Sequence, residues 1–363
     1  MRPLTFIVGT GRTGSTALSR ILGKHRQVLS LNELFVSLNG PAALPEGAVT
    51  GERFWRMLAD PHPVFDAMMR RGTSLPEFLY TRRPGRYSAE TGIPALSLMV
   101  LPHLSDDPDG LLDELGRHIV SWPARPAAHH HEALFELLAD QLGRDAVVER
   151  SGHSLTWVPM LRRAFPRARF VHMHRHGPDC ALSMSRHPGY RAAGLAQEIL
   201  ERTGAPSVRE LTDAHLRTLP DGLAEVVTSG FVPASVMDRP APVAVFGSIW
   251  SRMITEGVGH LANMPATSRM TLCYEDLLKD PERELTRLAS FIGAVPDPEW
   301  LDAGRRLLDA GRPGASRRLP PEELSALEER CLPGVRALSG LMKPEPGSYF
   351  GPMRTTDSSL FEP

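Results

Sequence analysis

Three cysteines, Cys180, Cys273 and Cys331, are all that the 363 residues contain. Their wide spacing excludes a Cys-x-x-Cys metal or redox motif and argues against a disulfide framework. Such usage fits a reducing compartment. The apolar start Leu4-Thr5-Phe6-Ile7-Val8 is too short for a signal-peptide core, so a cytoplasmic location is expected. Long hydrophobic runs are missing as well; no stretch approaches about 20 apolar residues, and no membrane partner is expected. Charge of one sign is equally scarce, since 41 Lys and Arg against 42 Asp and Glu leave a net −1. That balance removes the global field that draws a protein to nucleic acid, and any anion specificity must be local.

What is present is a recurrence of short apolar runs, each leading into a helix-like stretch, at residues 4–8, 147–149, 168–173 and 270–274. The alternation predicts an α/β fold with a parallel sheet flanked by helices, whose ligands bind beyond the carboxyl ends of the strands. Two longer regions, 35–145 and 190–242, read as mostly helical insertions that build an acceptor side. Residues 281–293 and 324–338 show helical periodicity. A single domain over residues 1–342 and an extended tail at 343–363, rich in Pro, Gly, Ser and Thr, are expected. Apolar residues of the insertions and their surroundings, Phe54, Trp55, Phe65, Met68, Met69, Phe78, Phe231 and Trp250, are candidates for an acceptor pocket or for plain core.

The first strand runs into Gly9-Thr10-Gly11-Arg12-Thr13-Gly14-Ser15-Thr16 and then the helix-forming Ala17-Leu18-Ser19-Arg20-Ile21-Leu22. Glycines let a backbone approach a phosphate closely, and the N–H groups of the following helix face an anion with a favourable dipole. A nucleoside-triphosphate P-loop carries Lys after its second conserved Gly; here Ser15 stands there, and the positive charge has moved inside the loop to Arg12. Further on, Arg175 ends a strand and Ser183 follows it by eight residues on a helix. The fork of donors on one and the hydroxyl of the other can converge on a second phosphate.

Together these two segments resemble the nucleotide-binding elements of sulfotransferases that use 3′-phosphoadenosine-5′-phosphosulfate (PAPS). The pattern is most similar to that of tyrosylprotein sulfotransferases, whose loop reads Arg-Ser-Gly-Thr-Thr where this chain has Arg12-Thr13-Gly14-Ser15-Thr16. The resemblance implies that Gly11, Arg12, Thr13, Gly14, Ser15 and Thr16 hold the 5′-phosphosulfate and that Arg175 and Ser183 hold the 3′-phosphate. It implies a catalytic base at Glu33, a basic residue at Arg150 and a nucleotide-seating segment at Tyr274-Glu275-Asp276-Leu277. A late loop, Gly311-Arg312-Pro313-Gly314-Ala315-Ser316-Arg317-Arg318, is similar to one that carries a catalytic Ser, and Arg317 and Arg318 could close over the nucleotide. The chain departs from the pattern at Arg150, where the family usually has Lys, and at His187, where a further Arg is usual.

Sulfuryl transfer needs an activated acceptor oxygen, in-line alignment, and positive charge where negative charge grows. Glu33 is the candidate base, with His153 as its rival. Arg12 and Arg150 are fixed charges on the transferring group, and Ser316 is a further hydrogen-bond donor. Arginine does not deprotonate in proteins, so Arg150 acts electrostatically rather than as an acid. His172, His174 and His176 alternate as strand neighbours could, yet no acidic partner accompanies them, and no metal is expected. His129-His130-His131 reads as a surface loop near Pro123 and Pro126. The reading is PAPS as co-substrate, 3′-phosphoadenosine-5′-phosphate (PAP) as product, and a small-molecule hydroxyl as acceptor. The alternatives are a P-loop kinase-like phosphotransferase using ATP and Mg²⁺, and a catalytically silent nucleotide-binding protein.

Overall fold

The computed structural model describes residues 1–229, 236–308 and 313–341, and leaves the side chain of Arg209 undescribed. Phe231, the Gly311-Arg312 part of the late loop and the tail 343–363 lie outside the described residues.

Seven strands occur among the described residues: β1 (Leu4–Val8), β2 (Val28–Asn32), β3 (Ala48–Val49), β4 (Arg125–Pro126), β5 (Ala146–Arg150), β6 (Arg169–His174) and β7 (Arg269–Cys273). Five form one sheet in the order β2-β5-β1-β6-β7, with every pair parallel; β3 and β4 make a small antiparallel pair apart from it. The expected strands stand within a residue or two of their bounds. β2 escaped sequence reading: Val28-Leu29-Ser30-Leu31-Asn32 is short and follows the first helix after only a brief turn. It nevertheless forms the edge of the sheet and delivers Glu33.

The sheet is buried on both faces, and the period-2 alternation of side chains divides its residues between two packed layers. Phe6, Val8, Leu29, Leu31, Val147 and Phe170 point into the larger core, against helices Ala127–Leu142 and Val243–Ala262. Ile7, Val28, Val148, Val171, Met270 and Leu272 point the other way, onto helices Ser15–Leu22, Pro281–Ile292 and Pro298–Leu307. This is a helix–sheet–helix sandwich with β1 in the middle, and helical segments extend beyond the carboxyl edge of the sheet.

One expectation about the insertions needs correction. The three consecutive histidines lie on helix Ala127–Leu142 rather than in a surface loop, because Pro126 opens the helix and its apolar face carries two of the rings inward. His130 Nε2 meets Val49 O at 2.8 Å, His131 Nε2 meets Ala43 O at 3.0 Å, and both rings pack on Phe54. Desolvation by burial pushes His131 down to about 4, so it stays a neutral core residue. Phe54, Phe78 and Trp250 are likewise core, and Met69 is buried in a satellite cluster.

Candidate active site

All five strands of the sheet end at the same place. Gly9 follows β1, Glu33 follows β2, Arg150 closes β5, Arg175 follows β6 and Tyr274 follows β7. The order reverses around β1, so the crevice beyond the carboxyl ends is where an α/β sheet binds its ligand.

The glycine loop is shaped by the aromatic rings packed against it. A Cβ on Gly14, whose φ is 88°, would lie 2.3 Å from the Tyr274 ring, and one on Gly11, whose φ is 74°, would lie 1.9 Å from the Tyr190 hydroxyl. Only glycine fits both the conformation and the space. Tyr190 in turn donates to Thr10 O at 2.5 Å and fixes the loop from helix Pro188–Thr203. Gly14 N-caps helix Ser15–Leu22, and no side chain caps it, which leaves its first turn open to an anion. Arg12 reaches across the loop and donates from Nε to Ser183 Oγ at 3.2 Å. The Arg175 guanidinium sits over the Tyr274 ring, 5.3 Å from its centroid.

Glu33 is buried and engaged at both oxygens. Oε1 accepts from Arg150 Nη1 and Oε2 accepts the Gly152 N–H at 2.8 Å. Arg150 is held further by Ser19 Oγ at 2.8 Å and by Asn32 Oδ1 at 3.4 Å. The backbone around Glu33 is pinned too, because its N–H donates to Arg150 O at 2.8 Å and so extends the β2–β5 ladder by one bond. A buried relay supports the next turn: Ser151 Oγ donates to Glu149 at 2.6 Å and accepts the N–H groups of Phe35 and Val36. Burial raises the Glu149 carboxyl to about 7, against the pull of the Ser151 hydrogen bond.

Two cavities open from this point. The first, of about 330 Å³, is polar and cationic, and is lined by Arg12, Arg20, Arg82, Arg150 and Arg175 together with Ser183, Tyr274 and the loop. The second, of about 230 Å³, is mostly apolar, with Val36, Phe65, Leu75, Met99 and Tyr190 in its wall. Both include Arg12, Ser15, Thr16, Glu33, Glu77 and Arg150, so the two compartments meet at the candidate base and the two fixed charges. His153 lines only the apolar one. Desolvation and the nearby Arg252 charge hold it below the ordinary histidine value, which makes it a neutral imidazole at neutral pH.

Of the non-glycine residues with positive φ among those described, Arg12 (59°), Glu33 (58°) and His153 (67°) are three; Asn39 is the fourth. Backbone held in this region costs energy and clusters at functional sites.

Other sequence candidates sit elsewhere. Ser316 is fully buried under the start of helix Gly177–Ser185 and does not line either cavity. Asp179 Oδ1 accepts the Ser316 N–H at 2.8 Å and Oδ2 accepts the Gly314 N–H at 2.7 Å. Desolvation would push Asp179 up, yet hydrogen bonds from His176 and from these residues outweigh it and hold the carboxyl below its usual range. Arg317 and Arg318 are exposed. His172 and His174 are buried side by side on β6, with His172 driven to about 3 by desolvation. Among the described residues no group of three or more His, Cys, Asp or Glu gathers as a metal site.

Sequence reasoning missed Arg20, Arg82, Glu77 and His103. Arg20 had a signal, since it lies four residues after Thr16 and shares its helix face. Arg82, Glu77 and His103 lie in irregular stretches or short turns with no period to read. Glu77 meets His187 Nε2 at 3.4 Å, so the departure at His187 supplies a partner for a carboxylate of the shared wall. Neighbouring guanidinium charges reinforce desolvation and bring His103 to about 4.

Residues 102–227 match the family model described as Sulfotransferase family, a segment that carries Arg150, His153, Arg175 and Ser183 and leaves out the glycine loop. Nothing in that match singles out tyrosylprotein sulfotransferases. No curated protein matches the chain at a significant level. Among solved structures, the sulfotransferase domain from the Synechococcus PCC 7002 olefin synthase aligns at 16% identity and a TM-score of 0.44, over 90% of this chain and 93% of that one. The sulfotransferase domain from the curacin biosynthetic pathway gives 13%, 0.45, 91% and 97%. A sulfotransferase from Alicyclobacillus acidocaldarius gives 16%, 0.39, 94% and 96%. At these TM-scores the likeness carries no functional weight. No helix among the described residues is long and apolar enough to cross a membrane.

Proposed function

We propose that this chain, whose residues 102–227 match a sulfotransferase family model, transfers the sulfuryl group of PAPS to the hydroxyl of a small molecule. The observation that carries the reading is the meeting of a cationic and an apolar cavity at Arg12, Glu33 and Arg150. A polyanionic donor fits the first: its guanidinium groups, the open helix start and the glycine loop offer donors to phosphate and sulfonate oxygens. An uncharged acceptor fits the second.

In this reading Glu33 accepts the proton of the acceptor hydroxyl as its oxygen bonds to sulfur. The bond from sulfur to the bridging phosphate oxygen breaks, the electron pair leaves with PAP, and the proton passes from Glu33 to water. A carboxylate has about four lone-pair positions. The two occupied by Arg150 and Gly152 therefore orient Glu33 without exhausting it. Arg12 and Arg150 stabilise charge that grows on the sulfonyl and bridging oxygens, and their fixed positions need no reorganisation as the reaction proceeds. His153, neutral and on the acceptor side, is the rival base.

Thermal shift with PAP, compared with ATP and Mg²⁺, tests the donor; labelled PAPS with a panel of alcohols tests transfer. Stabilisation by PAP and label in an alcohol product are expected. Stabilisation by ATP and Mg²⁺ alone would sink the reading in favour of phosphoryl transfer.

A further inference from the structure

The apolar cavity does not end at its own wall. A further cavity of about 580 Å³ shares Phe65, Leu75, Gly189 and Ala193 with it and continues between helices Pro63–Arg70 and Pro188–Thr203. Its surface is overwhelmingly apolar, with Val64, Met68, Ala192 and Ala196 along the sides. Among the described residues the one charged group in its lining is Arg71, which donates to Ser229 O at 3.2 Å.

Helix Pro63–Arg70 has an amphipathic sequence, yet only Met69 of its residues is buried. Val64 stands 47% exposed, and Phe65 and Met68 are partly covered. An apolar face that is only partly covered, and that shares Phe65, Leu75, Gly189 and Ala193 with the cavity at a reaction centre, is a place for substrate rather than for solvent. The alanines at positions 192, 193 and 196 keep the opposite helix low, so the passage stays open where Leu or Phe would fill it. Polar groups are concentrated at the other end, around Glu33, Arg12 and Glu77.

We infer that the acceptor is a hydroxylated amphiphile with a hydrocarbon body. Its hydroxyl meets Glu33, and its apolar chain runs past Phe65 and Ala193 into the groove between the two helices. The inference rests on the proposed sulfuryl transfer and adds the substrate class to it.

The test is equilibrium binding of straight-chain primary alcohols, from butanol to decanol, to the full chain in the presence of PAP. Burial of each further methylene should tighten binding about fourfold, at ~0.8 kcal/mol per group, until the groove is filled. Ala196→Trp, which narrows the groove beyond the shared wall, should flatten that dependence. Met68→Glu, at a partly exposed position, should do the same by placing a charge in the passage. The PAP-induced thermal shift should persist in both variants and reports an intact donor side.

If decanol binds no more tightly than butanol, or if both variants keep the full chain-length dependence, the groove is not the acceptor's path. A second copy of the chain covering the groove would appear as a concentration-dependent dimer that decanol fails to dissociate, and this too would overturn the inference. Alcohol binding is read without turnover. Failure of PAP to bind or of PAPS to react therefore strikes the transfer reading, whereas a flat chain-length series strikes the groove alone.

Discussion

The cationic and the apolar sides of the crevice, which are the donor and acceptor sides of the proposed function, are built by different means. The donor side is made from strand ends: five parallel strands deliver Gly9, Glu33, Arg150, Arg175 and Tyr274 to one edge, and backbone pairing fixes their spacing. The acceptor side is made from helices and irregular segments that contribute Phe65, Leu75, Glu77, His187 and Ala193 from distant parts of the chain. A ladder of hydrogen bonds leaves little freedom of register, whereas helices packed through apolar contacts tolerate exchange of one residue for another of similar size. Donor chemistry should therefore be rigid, and acceptor specificity adjustable.

The sharpest way to break this contrast is at the seam. Glu33→Gln should lower kcat by about 10²–10⁴-fold, the range for loss of a positioned base, with PAP affinity retained. A fall of that size in His153→Ala, with Glu33→Gln nearly unaffected, would move the base to the acceptor side. Arg12→Ala should cost about 10²–10³-fold in kcat, as does removal of one preorganised donor to a developing charge, and should weaken PAP as well. Arg175→Ala should act on the donor side alone, with PAP affinity reduced about 10–100-fold in a calorimetric titration, the size of a charge-assisted hydrogen bond. Phe65→Ala should do the reverse, with acceptor KM raised about tenfold while PAP binds as before.

The smallest effect concerns the relay beneath the seam. Glu149 holds its proton up to about 7 in the fold, whereas in the unfolded chain it releases it in the ordinary carboxylate range. The native state therefore binds more protons between those two values, and the Glu149 contribution to stability falls as pH rises through that window. Glu149→Gln, which keeps an acceptor for Ser151, should raise stability at pH 8 by about 1–3 kcal/mol and make no difference below pH 4. Denaturant titrations at the two pH values measure it.

The same contrast governs what the sequence revealed. Strand ends announce themselves through apolar runs, and so the glycine loop and the Arg175–Ser183 pair were legible together with the parallel sheet, whereas Arg150 and Tyr274 were named through family resemblance. Glu33 was found through family resemblance, since the strand that carries it was not recognised. The acceptor wall had no comparable signal, because helix-borne apolar residues look alike whether they face core or cavity. Phe65 and Met68 line the passage while Phe54 and Trp250 do not, and only the tertiary arrangement separates them. The histidine triplet failed for a related reason: composition marked it polar, but ring stacking on Phe54 and backbone acceptors made it core.

Arg12, Glu33 and His153 each sit where glycine would be more comfortable. Exchange of any of them for glycine relieves backbone strain of about 1 kcal/mol or more, although Glu33 and Arg150 hold each other and must be exchanged with care. A laboratory lineage selected for heat resistance alone would drift toward glycine at Arg12 and His153, and on the proposed function it would lose turnover on the way. On the proposed function, these side chains trade backbone comfort for turnover, and a thermostabilised descendant of this protein must be screened for activity at every round.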